Sequence, residues 1–191
     1  MKQWVPLHCH SHYSLLDGLS KPQQIADRCE ALGYTSCALT EHGNLAGCVD
    51  FMKALKKKKI KPILGCELYL SPQDPTIKDV TNGKHAHLCV LAKNLAGWRS
   101  LIQTVSYSNN PDFFYRKPRL SLEKLAPFAK DGNLIAFSGH MGSELANIVF
   151  AEPKLAYSAT TYDAAKMLVH PEWEKRATEL AGKYFEIFER S

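Results

Sequence analysis

At 191 residues with 45% hydrophobic content, the chain can bury one substantial core and lacks the low hydropathy and high net charge that mark disorder. Its 24 basic and 19 acidic residues leave a net charge of +5, a mild excess compatible with a polyanionic partner but not by itself a sign of DNA binding. Met1 to Pro6 carries one Lys and no long apolar run follows, which argues against a signal peptide and a membrane span and makes the cytoplasm the default expectation.

The first apolar-rich stretch, Trp4 to His10, reads as a strand. Ser20 three places before Gln23, with Pro22 in the first turn, is a capping-box pattern that predicts a helix from Pro22 to Leu32; Ile25, Cys29 and Leu32 share its face and Gly33 ends it. Thr35 to Thr40 is a short buried strand with Glu41 and His42 at its exit. A second helix, Leu45 to Lys58, places Val49, Met52 and Leu55 on an inward stripe. Lys56 to Lys59 crowd its C-terminal end, where cations favour the macrodipole; a phosphate-contacting patch is the other reading. Ile63 to Leu70 is the next strand and carries Glu67.

Pro72 to Lys84 has the composition of a surface loop, followed by a strand from His87 to Ala92 and a helix from Asn94 to Ser106 with Trp98, Leu101, Ile102 and Val105 on its core face. Phe113 to Leu120 is an aromatic and basic loop. Ser121 to Ala129 is a short helix interrupted by Pro127, and Leu134 to Ser138 is a strand ending in Gly139 and His140. Gly142 to Phe150 and two further helical stretches up to Ala181 precede a strand-like Tyr184 to Phe188; His170, before Pro171, reads as a surface or capping residue. The alternation predicts one α/β domain over residues 1–191, helices covering a largely parallel sheet or barrel, with chemistry gathered at the carboxyl ends of the strands. The six cysteines (Cys9, Cys29, Cys37, Cys48, Cys66, Cys89) have no zinc-ribbon or C-x-x-C spacing and read as reduced core residues.

His8 and His10 stand two apart near a strand's end, so their imidazoles project to one side and can converge on one metal ion. Alone, such a pair is as readily two solvated or hydrogen-bonded histidines. Repetition changes this, because His42, Glu67, His87 and His140 each fall at or beside a predicted strand and Asp17 lies in the loop after the first. Imidazole nitrogen with carboxylate oxygen suits zinc, manganese or iron, and a carboxylate such as Glu67 can bridge two ions about 3.5–4 Å apart. His87 fits this scheme less well, since it begins rather than ends its strand. Glu41, adjacent to His42, would point elsewhere in an extended chain and reads as a group that orients a ligand, with His12 and His85 as supporting or surface groups. No G-x-S-x-G elbow, P-loop or dinucleotide fingerprint is present, so acyl transfer through serine, ATP use and hydride transfer are poorly supported.

Six stretches in order, His8-Cys-His10-Ser-His-Tyr-Ser-Leu-Leu-Asp17-Gly18, Leu39-Thr-Glu-His42-Gly-Asn-Leu, Lys61-Pro-Ile-Leu-Gly-Cys-Glu67-Leu-Tyr, His87-Leu-Cys-Val-Leu-Ala-Lys-Asn94, Phe113-Phe-Tyr-Arg-Lys-Pro-Arg119 and Ser138-Gly-His140, resemble the PHP (polymerase and histidinol phosphatase) family. The resemblance is greater to the branch found at the N-terminus of bacterial C-family replicative DNA polymerases. It implies a distorted (β/α)7 barrel holding up to three divalent metals, with zinc or manganese expected. It also implies roles: His8, His10 and Glu67 in one metal site, Glu67 with His87 and His140 in a second, and Asp17 with His42 in a third. Relatives often carry Cys where His140 stands, and Asp where Glu41 stands. The family's last ligand pair, an Asp-x-His, has no counterpart before Ser191, so the chain is expected to be a fragment, its barrel stopping before the closing strand and just after Tyr184 to Phe188.

The chemistry implied is phosphoester hydrolysis by metal-activated water, with no protein nucleophile. The substrate would be a DNA 3′ end, as for a 3′–5′ exonuclease, in a domain whose partners are DNA and the other domains of a polymerase subunit. Arg116, Lys117 and Arg119 would contact phosphates, or their loop would instead pack against another domain. The alternatives are a non-catalytic structural module that stabilises the polymerase or docks a proofreading subunit, and a free-standing small-molecule phosphatase.

Overall fold

A computed structural model describes residues 4–79, 85–149 and 172–188. The elements are α1 (Pro22–Ala31), β1 (Ser36–His42), α2 (Cys48–Lys57), β2 (Lys61–Leu70), β3 (Ala86–Ala92), α3 (Leu95–Ser108), β4 (Arg119–Leu120), α4 (Leu122–Ala129), β5 (Leu134–Phe137), α5 (Glu144–Val149) and α6 (Trp173–Phe188). The helical stretches expected between Phe150 and Pro171, and His170, lie outside the described residues.

The five strands form one sheet in the order β1-β2-β3-β5, with β4 also paired to β2. It is mixed rather than largely parallel: β1 and β4 run parallel to β2, whereas β3 is antiparallel to both β2 and β5. That reversal removes the difficulty at His87. Because β3 enters the sheet where β2 leaves it, His87 lies opposite Tyr69, two residues beyond Glu67, and the start of β3 shares an edge with the ends of β1, β2 and β5.

Residues 4–10 are not a strand. The segment runs beside β1, with the Ala38 N–H donating to Pro6 O at 2.8 Å and the Thr40 N–H to Cys9 O at 2.9 Å. Three residues on one side thus face two on the other, the pattern of a bulge, and the Thr40 hydroxyl takes the Cys9 N–H at 3.0 Å. The bulge places His8 and His10 beside the carboxyl end of β1.

Two apolar clusters hold the layers. One joins α1, α2 and β1 through Ala26, Leu39, Phe51 and Leu55; the other joins α3 and α4 to β2, β3 and β5 through Leu68, Leu88, Val90, Leu101, Leu125 and Leu134. Helix α1 is capped one residue later than the Ser20–Gln23 pattern, because Pro22 takes the first helical position and the Lys21 N–H donates to Gln24 Oε1 at 2.8 Å. In α2 the buried face is Cys48, Phe51, Ala54 and Leu55, centred on the bulkiest apolar residue, and the expected inward Val49 is exposed. In α3, capped by Asn94, Leu101 and Val105 are buried and Ile102 is exposed. Pro127 does not interrupt α4, which runs unbroken to Ala129.

The expected strand Tyr184 to Phe188 is the last turn of helix α6. Leu180, Tyr184 and Phe188 recur at helical spacing, the first and last are buried, and the rings of Tyr184 and Phe188 stack 6.2 Å apart. A five-residue apolar window could not separate that stripe from a strand, and only the strand expected at this position falls with it. Among the described residues, no helix is long and apolar enough to cross a membrane.

Lys56 to Lys59 lie where α2 hands over to the start of β2, at the opposite edge of the sheet from His42 and Glu67. Lys58 pairs with Glu30 at 2.7 Å and Asp27 at 3.1 Å. The run therefore caps a helix far from the histidines, which favours the macrodipole reading.

Candidate metal centre

Five histidines converge on one carboxylate. Glu67 ends its pairing with β1 opposite His42, is 0% exposed, and has His10 Nε2 and His42 Nδ1 each 3.0 Å and His8 Nε2 3.3 Å from Oε2. On the other oxygen, Oε1, lie His140 Nε2 at 2.7 Å and His87 Nδ1 at 3.4 Å. Despite this crowd, neither oxygen nor His42 Nδ1 has a hydrogen-bond partner. A buried carboxylate without hydrogen bonds is costly, and a cation between it and the facing nitrogens resolves the cost.

The tautomer at His10 sharpens the point. The Ser14 hydroxyl donates its one proton to Glu41 Oε2, so Ser14 Oγ, 2.9 Å from His10 Nδ1, must accept there. His10 then carries its proton on Nδ1 and aims the Nε2 lone pair at Glu67 and at His8 Nε2, 3.0 Å away. Acceptors facing acceptors at this distance repel unless a proton or a metal lies between them. His140 is prepared differently: its Nδ1 accepts the Gly142 N–H at 2.8 Å, which leaves the proton on Nε2 beside Glu67 and His87. To bind a cation through Nε2 it must give up that contact.

Glu41 is fully buried at the end of β1 and anchors the loop that bears the histidines. It accepts from the Ser11 N–H, with both oxygens 3.2 Å away, and from the hydroxyls of Ser11 and Ser14; Ser14 Oγ also accepts the His42 N–H at 3.1 Å. The chain Glu41–Ser14–His10 thus orients a ring without Glu41 itself reaching the cluster. The same loop is closed by Gly18, where a Cβ would stand 1.9 Å from the Ser11 carbonyl oxygen, and this brings Asp17 Oδ2 to 2.8 Å from His42 Nε2.

Charge follows the geometry. At Glu67, burial works against ionisation, but His10, His140, His42 and His8 outweigh it and hold the carboxyl well below the usual carboxylate range. Pairing with Glu67 raises His8 above its ordinary 6.5. For His42, burial opposes the proton, yet Glu67 and Asp17 together raise it. Burial, aided by His140, pushes His87 down to about 4, so it is neutral and ready to donate a lone pair.

Three sets of donor atoms each lie within 4.8 Å of one another: His10, Asp17 and His42; Glu67, His87 and His140; and His8, Glu67 and Cys89. These nitrogen, oxygen and sulfur donors fit zinc, manganese or iron. Sequence reasoning missed Cys89, assigned to the core, and Tyr69, whose ring stacks 5.9 Å from His42 and meets His87 edge-on at 5.1 Å. The period-two spacing of His87 and Cys89 on β3 was the available signal for the first. His12 is not drawn into the cluster; its ring lies 4.4 Å from Tyr13. His85 stands 5.5 Å from the His87 ring and lines the same cavity.

The three basic residues of the Phe113 to Leu120 loop separate. Lys117 lines the cavity of about 490 Å³ over the histidines, its Nζ 5.3 Å from the Tyr69 ring. Arg116 is exposed at the tip of a tight turn (φ 61°), its guanidinium 5.3 Å from the Tyr115 ring. Arg119 is fully buried and donates to the carbonyls of Phe113 (3.2 Å), Pro75 (2.8 Å) and Ile77 (3.3 Å), so it ties two loops together and presents nothing to a phosphate. The expectation that it binds nucleic acid is corrected on that ground.

A PHP domain family model matches residues 6–191. The DNA polymerase III subunit alpha of Helicobacter pylori (strain ATCC 700392 / 26695) is 34% identical over 190 residues, 98% of this chain and 14% of that protein. The protein of the same name from Treponema pallidum is 39% identical over 144 residues, 74% of this chain and 12% of that one. The chain therefore spans only about one-eighth to one-seventh of the length of these relatives. A solved amidohydrolase from Chromobacterium violaceum aligns at TM-score 0.42 and 21% identity, covering 95% of this chain and 49% of that one.

Proposed function

The chain belongs to the PHP domain family, and from that footing we propose that its histidine-lined cavity is a divalent-metal phosphoesterase site acting on a DNA end, in a domain of a larger replicative polymerase subunit. The observation that carries the reading is Glu67, a wholly buried carboxylate with neither oxygen hydrogen-bonded and five imidazole nitrogens within 3.4 Å. Relatives named as DNA polymerase III alpha subunits support the DNA assignment.

Divalent cations held there, zinc or manganese by the donor set, would supply Lewis-acid polarisation of a phosphoryl oxygen and a water of lowered pKa. The chain's own residues do the rest. His8, His10, His42, His87, His140, Glu67 and Asp17 would hold the ions, His140 through Nε2 in the tautomer that does not accept from Gly142. Lys117, at the cavity rim, meets a phosphate oxygen as it arrives, and the exposed Arg116 engages the backbone beyond it. Tyr69 walls the cavity beside Lys117, its ring stacked on His42 and edge-on to His87.

Hydrolysis of a 3′-labelled DNA primer and of a small phosphomonoester, each with zinc or manganese added, tests this directly. Metal-dependent cleavage favouring the primer is expected. Lys117→Ala weakens primer binding and lowers the slope of log affinity against log salt by about one, as loss of one phosphate contact requires. Preference for the monoester would favour a small-molecule phosphatase, and no hydrolysis of either would leave a docking module for other polymerase domains or a proofreading subunit.

A further inference from the structure

Cys89 occupies a position that core packing does not explain. Its chain neighbours Leu88 and Val90 fill the apolar cluster beneath the sheet, whereas Cys89 shares the opposite face of β3 with His87. In the β2–β3 register it is the direct partner of Glu67, which puts the two side chains side by side on the face the histidines occupy. It is 0% exposed, and its sulfur, a nitrogen of His8 and an oxygen of Glu67 all lie within 4.8 Å of one another. Donors bound to one tetrahedral zinc sit about 3.3–3.8 Å apart, so a small inward movement completes the set.

Gly139 keeps that set open. It adopts φ 79°, and a Cβ there would stand 3.0 Å from Cys89 Sγ and 3.4 Å from His8 Cε1, so any side chain would wedge the sulfur and the imidazole apart. The independent sign of a ligand is again Glu67, wholly buried, facing this group, with neither oxygen hydrogen-bonded.

We propose that Cys89 Sγ is a metal ligand, completing with His8 and Glu67 a sulfur-containing position that selects a thiophilic divalent cation, zinc or cadmium, over manganese or magnesium. The sulfur binds as thiolate and its proton leaves to solvent. This rests on the metal reading of the centre and gives its positions different preferences: the set of His10, Asp17 and His42 offers only nitrogen and oxygen, while this one adds sulfur.

Cobalt substitution reads out the ligand without recourse to activity. The cobalt-loaded chain should show a thiolate-to-metal charge-transfer band in the near ultraviolet. Cys89→Ala and the nearly isosteric Cys89→Ser should lose it while keeping the weaker visible bands, and Cys37→Ala should retain it. Cadmium should lose its advantage over manganese in both Cys89 variants. Melting of the metal-free variants checks that they fold. Cobalt bound without the band, or a band that survives both Cys89 substitutions, would overturn the assignment and leave the metal centre standing; a wild-type chain that binds no cobalt would overturn both.

Discussion

Glu67→Gln abolishes the thermal stabilisation that zinc or manganese confers on the wild-type chain. A ligand that binds only the folded state at a hundredfold excess over its dissociation constant adds about 2.7 kcal/mol, which in a chain near this size raises the melting temperature by roughly 5–10 °C. Glu67 belongs to two of the three donor sets and faces five imidazoles, so removing its charge dismantles the shared core of the centre.

The metal-free chain carries a second signature of the same residue. His8 and His42 keep their protons above the ordinary value of 6.5, through Glu67 pairing at His8 and, against burial, through Glu67 and Asp17 at His42. The folded chain then binds more protons than the unfolded one just above 6.5, so stability from these contacts is complete below that value and is lost as pH rises through the raised ones. Metal-free wild type should melt lower at about pH 9 than at about pH 7, and Glu67→Gln should show a flatter profile, melting at or above wild type at the alkaline end. His87 contributes in the other direction but only between 6.5 and about 4, outside this window. Calorimetry of both proteins with and without metal measures the two effects. A variant that metal still stabilises, or that melts several degrees below wild type at every pH, would contradict them.

Glu41→Ala should damage both stability and metal affinity. It strands the Ser11 N–H and the hydroxyls of Ser11 and Ser14, all buried, at about 1–3 kcal/mol per unsatisfied group. With partial relief from rotated hydroxyls and entering water, a loss of about 3 kcal/mol or more is expected, a fall of roughly 6–12 °C in melting temperature. Ser14 then no longer needs to accept from His10, and the Nε2 lone pair loses its fixed aim, which corresponds to a 10–100-fold weaker metal affinity by the usual effect of residues that orient ligands. Glu41→Gln keeps one good acceptor and should fall between the two. Equilibrium unfolding and metal titration separate the losses; an alanine variant with wild-type metal affinity would show that Glu41 supports the fold alone.

The residues of the cluster were legible in the sequence because ligand chemistry is local: a His, Asp or Glu at a strand's end is visible without knowing the sheet. What was not legible depends on pairing across the chain. His87 looked misplaced because strand direction is set by contacts with β2 and β5, and Cys89 looked like core because nothing local says which face of β3 meets Glu67. Arg119 read as a phosphate ligand from its basic neighbours, but the carbonyls that bury it come from Phe113, Pro75 and Ile77. Helix faces slipped at Val49 and Ile102 because apolar residues flank both stripes, and Tyr184 to Phe188 was too short a window to distinguish two periodicities.

Anomalous diffraction from crystals of the chain grown with zinc or manganese tests the metal centre most directly. At least two peaks are expected, one within bonding distance of each Glu67 oxygen, with imidazole nitrogens completing their coordination. Clean density at Glu67 with no anomalous peak beside either oxygen, at metal concentrations that saturate the calorimetric response, would contradict it.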